Sequence, residues 1–138
     1  DVGNVAPASG EALVSFEDLL WLTAAEAKLT SQTIELRLSW RVNATSGEDI
    51  FANALDCAGD VAGLSGGAGM GGIYPVWLWQ AGESIHEVRR IPLTAPSPDG
   101  CYRIEIGLFN PQTGARAEAR DANGERLAND SLVIELTP

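Results

Sequence analysis

A chain of 138 residues, 45% hydrophobic and 20% charged, is long enough for one domain with a hydrophobic core, and its composition is typical of a globular protein rather than a disordered one. Its formal net charge of −10 argues against nucleic acid or an anionic membrane surface as a partner, because both require clustered Lys and Arg. The longest apolar run is too short to cross a bilayer, so no membrane insertion by this segment is expected.

The chain begins with DVGNVAPASGEA, a segment of small residues that contains Pro, Gly and Ser. This composition is typical of a linker. We therefore expect a linker at residues 1–12 and a single domain at residues 13–138.

Apolar and polar residues alternate strictly in three segments, which predicts strands with one face exposed to water. These segments are residues 34–42 (IELRLSWRV), 102–108 and 132–136. Weaker alternation predicts strands at 13–22, 50–56 and 85–93, with Pro92 at an edge or a strand end. The segment Thr23–Thr30 between the first two strands is expected to form a short helical turn.

Turn sequences rich in Gly, Asn and Pro separate these segments. Short strands at regular spacing with almost no helix predict an all-β fold, an antiparallel immunoglobulin-like β-sandwich of about seven to eight strands. A β-barrel is the alternative.

The glycines Gly67, Gly69 and Gly72 have the spacing of a dinucleotide-binding loop. The residues that follow are Ile-Tyr-Pro-Val-Trp, which cannot open the helix whose N-terminus would hold a pyrophosphate. We therefore exclude phosphate binding and interpret residues 63–72 as a flexible connection.

Catalytic and metal-binding patterns are weak in this chain. His86 is the only histidine, lies in the charged stretch SIHEVRR, and has no nucleophile motif nearby, so we expect it to be structural or solvent-facing. Two cysteines and one histidine do not make a zinc site. The stretches DCAGD (56–60) and DANGE (121–125) lack the full ligand ladder of a calcium loop, and hairpin tips explain them better. No enzyme activity, cofactor or metal is expected.

The aromatic stretch GGIYPVWLWQAGE (71–83) has two interpretations, a ligand-stacking platform or part of the core. In an extended chain Trp77 and Trp79 point to one side and Tyr74 to the other. Burying an indole stabilises a fold by about 2–3 kcal/mol, which favours the core. The candidate ligand-binding residues are Trp77, which we prefer, Tyr74 and Trp21.

Four segments in this order are similar to a bacterial extracytoplasmic β-sandwich domain. They are IELRLSWRV, FANALDCAGDV, GGIYPVWLWQAGESIHEVRRIPL and GCYRIEIGLFNPQTGARAEARDANGERL. The domain that they resemble lies at the C-terminal ends of multi-spanning membrane proteins of the glycosyltransferase type. The chain departs from that pattern at Val76 and Trp77, where small polar residues are commoner, and in having a cysteine pair.

The resemblance implies a non-catalytic accessory or interaction domain outside the cytoplasm: at the cell surface, in the periplasm or on the outer face of the membrane. Its expected partners are a glycan, a cell-envelope polymer, or the rest of its own parent protein. It gives Trp79 a structural role before the turn that starts the next strand. The alternative function is a carbohydrate-binding module that stacks sugars on exposed aromatic rings.

Cys57 and Cys101 are either two buried free thiols or one disulfide. If residues 50–56 and 102–109 are antiparallel neighbours, as the corresponding strands of immunoglobulin-like sheets are, the end of the first lies beside the start of the second. The sandwich therefore predicts a disulfide, which is consistent with an oxidising compartment.

Overall fold

The alternating segments of the sequence form strands in a computed structural model, which describes residues 2–5, 13–44, 47–67, 76–95, 97 and 99–136. The strands of these residues are β1 (Val2–Val5), β2 (Val14–Phe16), β3 (Leu20–Thr30), β4 (Thr33–Val42), β5 (Asp49–Asp56), β6 (Val61–Gly67), β7 (Ser84–Pro92), β8 (Tyr102–Phe109), β9 (Ala119–Asp121) and β10 (Leu132–Leu136). Short 3₁₀ helices lie at Val76–Leu78 and Ala128–Asp130.

The strands pair into two antiparallel sheets. One has the order β7-β4-β3-β2-β9, with β1 also paired to β3, and the other has the order β10-β8-β5-β6. The chain crosses between the sheets after β4, β6, β7, β8 and β9, and the crossings as far as β8 match the connectivity of an immunoglobulin-like sandwich. The predicted all-β sandwich is confirmed, and the barrel alternative is wrong because the sheets do not close on each other.

The core lies between the inward faces of the two sheets. β4 and β8 contribute their alternating apolar residues: Ile34, Leu36, Leu38, Trp40 and Val42 from β4, and Tyr102, Ile104, Ile106 and Leu108 from β8. Each fully buried large apolar side chain stabilises the fold by about 1.5–3 kcal/mol relative to exposure. The alternation that predicted these strands thus also identifies the core.

The predicted helical turn at Thr23–Thr30 is wrong, because this segment continues β3. Ala25 and Ala27 are buried while Glu26 and Lys28 are exposed, and the segment pairs with β4 over its length. Strand pairing and burial outweigh the helical preference of alanine.

The strand expected at 13–22 is two strands joined by a tight turn. Leu19 N donates a 2.9 Å hydrogen bond to Phe16 O, and the two residues between them, Glu17 and Asp18, have φ values of 51° and 55°. Left-handed backbone at both central positions is the geometry of a hairpin turn that usually takes Asn-Gly. Glu17 and Asp18 rarely occupy such a turn, so the sequence does not predict it.

Parts of two segments predicted to be irregular belong to the sheets. Residues 2–5, within the expected linker, pair with β3 from Lys28 to Ala25. The first five residues of the expected flexible connection at 63–72 complete β6, while residues 68–72 lie outside the described part. Gly63 lies so close to β7 that a Cβ atom at this position would be 2.5 Å from Pro92 O, so only glycine fits there.

The junction of β5 and β8 is fixed by a covalent bond. Asp56 pairs with Tyr102, and the adjacent Cys57 and Cys101 form the expected disulfide, with Cα atoms 5.5 Å apart. Tyr102 also accepts a 2.7 Å hydrogen bond at its hydroxyl from Ser97 N. A tyrosine at the start of this strand that binds upstream backbone is a hallmark of immunoglobulin-like sandwiches.

Two charged side chains of β7 point into the core. Glu87 Oε1 accepts a 2.8 Å hydrogen bond from Arg89 Nε, and Glu87 Oε2 accepts one of 2.6 Å from Trp40 Nε1. Both side chains are almost fully buried, and among the described residues Arg89 Nη2 has no hydrogen-bond partner. β7 is the end strand of its sheet among the described strands, and inward charges are one of the features by which proteins keep such edges from pairing with another chain.

Candidate functional site on the outer face of the β3–β4–β7 sheet

The solvent side of β3, β4 and β7 carries four rows of side chains, which we call the outer face. The rows are Trp21–Arg41–Ser84, Ala24–Ser39–His86, Glu26–Arg37–Val88 and Lys28–Glu35–Arg90. Alternation along each strand places these residues opposite the buried ones, and successive rows lie about 7 Å apart. The result is a solvent-facing surface of three strands, bordered beyond β3 by β1 and β2.

The outer face is cationic on an acidic chain. It holds four of the nine Lys and Arg residues but only two of the nineteen Asp and Glu residues. Six of the other carboxylates lie at one end of the sandwich: Glu17, Asp18, Glu48, Asp49, Glu118 and Asp130. Arg120 and Arg126 pair with two of them, so this end is less acidic than its carboxylates alone suggest but still has more carboxylates than arginines.

Glu35 shows how this surface holds a carboxylate. Its Oε1 lies 3.2 Å from Arg37 Nη2, and its Oε2 lies 3.5 Å from Arg90 Nη2. Exposed ion pairs of this kind add little stability. One carboxylate shared by two guanidinium groups leaves a net positive charge at the surface.

A shallow depression of about 280 Å³ lies beside Arg37. It is lined by Arg37, Leu38, Ser39, His86, Glu87 and Val88. Ser39 Oγ and His86 Nδ1 are 2.8 Å apart and share a hydrogen bond. His86 is exposed, as expected, and has no carboxylate contact in the described part of the chain, so this serine–histidine pair lacks the acid that orients a catalytic histidine.

Trp21 is the candidate ligand-binding residue that lies on the outer face. It is half-buried, and the guanidinium carbon of Arg41 lies 5.5 Å from its ring centroid. This contact is a cation–π interaction and covers part of the ring. Trp21 Nε1 is buried without a hydrogen-bond partner among the described residues.

The structure separates the members of the aromatic stretch. Trp79 is fully buried, as its expected structural role requires. The extended geometry that placed Trp77 and Trp79 on one side is wrong, because Val76–Leu78 is a 3₁₀ helix. Tyr74 and the side chain of Trp77 lie outside the described residues, so their part in ligand binding stays a prediction.

A second depression, of about 210 Å³, lies at the acidic end and is lined by Ser15, Glu17, Asp18, Glu118 and Arg120. Its carboxylates are engaged within the fold. Glu17 Oε2 accepts a 2.9 Å hydrogen bond from Glu118 N, Asp18 Oδ1 accepts one of 3.1 Å from Ser15 Oγ, and Glu118 pairs with Arg120. These contacts fasten the β2–β3 turn to β9, which is a structural role.

The stretches that faintly resembled calcium loops are hairpin tips. Asp56 Oδ1 accepts hydrogen bonds from Ala58 N and Asp60 N, and Asp121 Oδ1 accepts them from Asn123 N and Glu125 N. Asp side chains that bind their own turn in this way need no ion. No group of three or more His, Cys, Asp or Glu suited to a metal occurs in the described residues.

No family model matches the chain, and no curated protein matches it. Over the ranges that the structure describes, no helix has both the length and the apolar character needed to cross a membrane. The resemblance to a glycosyltransferase-associated domain stays an expectation.

Sequence reasoning missed the outer face as a site. The alternation of IELRLSWRV places Arg37 and Arg41 outward, but one strand alone does not reveal its neighbours. Arg90 and His86 lie beside them because β7 pairs with β4 after the chain has formed β5 and β6 in the other sheet. If the pairing of β4 with β7 had been predicted, the cationic surface would have been identified from the sequence.

Proposed function

We propose that this chain is a non-catalytic, extracytoplasmic interaction domain that binds its partner through the outer face. The observation that carries the proposal is the concentration of exposed cationic side chains on one face of a sheet in an acidic chain. The Cys57–Cys101 disulfide supports an oxidising compartment, since disulfides form and persist there.

The chemistry of the outer face supports binding rather than catalysis. Among the described residues Ser39 and His86 form a pair without an orienting carboxylate, and they are register partners within two long strands. Backbone N–H groups of such strands are used in the sheet ladder, so they do not offer the oxyanion donors that acyl transfer requires. Accessory recognition, by docking to a cell-envelope polymer or to the parent protein, fits this arrangement.

A carbohydrate-binding module is the second candidate. Trp21 on the outer face and the depression beside His86 favour it, because an aromatic ring next to polar groups is a common arrangement for sugar recognition. Its weakness is that Arg41 covers part of the indole. This candidate predicts that Trp21→Ala removes binding as strongly as the loss of an arginine does.

A glycan array of neutral and acidic cell-envelope polymers tests the proposal. The double variant R37E/R41E reverses two charges on the outer face, whereas R103E reverses one charge on exposed Arg103 of β8, which belongs to the other sheet. We expect binding by the wild type and R103E and none by R37E/R41E, with far-UV circular dichroism unchanged in all three. Equal binding by R37E/R41E and the wild type would contradict the proposal.

A further inference from the structure

The outer face contains one carboxylate site that the protein fills itself. Glu35 bridges Arg37 and Arg90 at distances of 3.2 and 3.5 Å, and the side chains of both arginines are about two-thirds exposed (64% and 66%). A carboxylate therefore fits between cationic side chains on neighbouring strands of this sheet. Arg37 uses only Nη2 in this contact, and a guanidinium has further N–H donors beyond it.

The row of Trp21, Arg41 and Ser84 carries a cation without a carboxylate partner in the described part of the chain. Arg41 contacts the ring of Trp21 and forms no ion pair there. Glu26 is the register partner of Arg37, yet the structure has no ion pair between them. His86 bonds through Nδ1 to Ser39, so its Nε2 edge stays available beside the depression.

These donors form a repeating line along the strands. Arg41 and Arg37 lie on one face of β4 four residues apart, which corresponds to about 13 Å. The row of Lys28 and Arg90 lies one further step along the sheet. An extended polymer that carries an acidic group at regular intervals can contact several of these rows at once.

The shape of the outer face favours a thin polar polymer over a folded protein. A stable protein interface needs about 800 Å² on each side and a desolvated apolar centre. On the outer face Val88 is the exposed large apolar side chain, at 38%, and its neighbours in the rows are Arg37, His86 and Arg90.

We propose, building on the function proposed above, that the outer face binds a polysaccharide bearing carboxylate groups, of the polyuronate class. Arg37 and Arg41 each receive a uronate carboxylate, the guanidinium fork supplying two parallel N–H donors. Ser39 and His86 donate to or accept from sugar hydroxyls in the depression between them. The net charge of the chain does not prevent this, because at physiological ionic strength charges beyond about 8 Å are largely screened.

Isothermal titration with an oligogalacturonide and with its carboxyl-reduced, neutral counterpart tests the inference. The two ligands share a sugar backbone and differ only in the acid group. We expect the neutral ligand to bind at least about tenfold more weakly than the acidic one, with the affinity for the acidic ligand falling as salt increases. The variants R37Q and R41Q each weaken binding about tenfold, while R103Q changes it less than twofold.

Dextran sulfate distinguishes carboxylate recognition from general attraction to polyanions. We expect it to bind more weakly than the oligogalacturonide at the same charge concentration. If dextran sulfate binds equally well and R103Q weakens it as much as R37Q does, the attraction is non-specific and the inference is wrong.

Failure of this inference and failure of the proposed function give different results. Equal affinity for the acidic and neutral oligosaccharides, still lost in R37E/R41E, would overturn the polyuronate assignment and leave the outer face as the binding surface. Binding of the oligogalacturonide that is unchanged in R37E/R41E would overturn both. Absence of binding to the oligogalacturonide, with another array glycan bound through the outer face, overturns only the inference.

Discussion

Trp40 Nε1 donates a 2.6 Å hydrogen bond to Glu87 Oε2 in the middle of the hydrophobic core. The same carboxylate accepts a hydrogen bond from Arg89, so one buried anion satisfies two donors from neighbouring strands. A buried ion pair gives little net stability, but removing one partner leaves the other charge buried and unpaired.

We therefore expect Glu87→Leu to lower the free energy of unfolding by about 3–5 kcal/mol, because it strands the guanidinium of Arg89. The double variant E87L/R89M, which removes both charges, should recover most of that loss. Urea denaturation of the three proteins measures both effects. A single variant as stable as the wild type would show that Glu87 does not hold the arginine.

The double variant also tests the protection of the β7 edge. Without inward charges on this edge strand, E87L/R89M is expected to self-associate as its concentration rises. Sedimentation velocity over a range of concentrations measures this, with the wild type as control. If the double variant stays monomeric at every concentration, another feature, such as Pro92, protects the β7 edge.

Loss of the Cys57–Cys101 disulfide should destabilise the domain by about 4 kcal/mol, the loop-entropy value for a separation of 44 residues. The expected result is a lower urea midpoint for C57A/C101A at unchanged slope. Reductant should lower the midpoint of the wild type to a similar degree and leave that of the variant unchanged. A reductant-insensitive wild type with two alkylatable thiols would contradict the disulfide.

Acid should remove the contribution that ionised Asp130 makes to the stability of the folded domain. Hydrogen bonds from Arg126 at 2.9 and 3.0 Å, and one from Ala119 N, lower the pKa of Asp130 in the folded state. A lowered folded pKa adds stability that is complete above the unfolded value, about 3.9, and is lost as pH falls below it. D130N, which tolerates the left-handed backbone at this position, should be less stable than the wild type at pH 7 and nearly equal to it in strong acid.

Urea midpoints from pH 7 to pH 2 measure this difference. D60N is the control, since Asp60 is exposed and forms no ion pair in the described part of the chain. If D130N and the wild type differ by the same amount at every pH, ionisation of Asp130 does not contribute.

Ionised Glu48 should have the opposite effect on stability to ionised Asp130. Burial, and then repulsion by Glu17 and Asp49, raise the pKa of Glu48 in the folded state. A raised carboxyl pKa costs stability when the group is ionised, and this cost disappears as pH falls through the folded pKa towards the unfolded one. E48Q should therefore be more stable than the wild type at pH 7 and match it near pH 3, as urea midpoints will show. A lower stability of E48Q at pH 7 would mean that contacts of the carboxylate outweigh the repulsion.

The tryptophans should separate into core and surface classes. Trp79→Ala is expected to lower the free energy of unfolding by about 3–5 kcal/mol, because Trp79 is fully buried. Trp21→Ala should cost far less, since Trp21 is half-buried on the outer face. Thermal unfolding measures both changes, and acrylamide quenching should be weakened more by loss of Trp21 than by loss of Trp79.

The regular parts of the fold were predictable because alternation and burial coincide. The strand IELRLSWRV and the strand that starts at Tyr102 both have the inward faces that their sequences indicate. The predicted neighbours β5 and β8 place Cys57 beside Cys101. One periodic pattern was sufficient to predict each strand and its inward face, and the known arrangement of two strands was sufficient to predict the disulfide.

The remaining features depend on contacts between distant segments. β6 is rich in glycine, has no regular alternation, and becomes a strand through β5 and the close approach of Gly63 to β7. Ser39 meets His86 although 47 positions separate them in the chain. Glu87 and Arg89 occupy inward positions that a hydrophobic pattern assigns to apolar residues, so periodicity alone could not identify their role.

The position of the outer face on one of the two sheets has a directional consequence. If the outer face binds a polyanionic layer as proposed, β3, β4 and β7 lie against the layer and the sheet of β10, β8, β5 and β6 faces away from it. A segment joined to that distal sheet is then held about two sheet layers above the polymer.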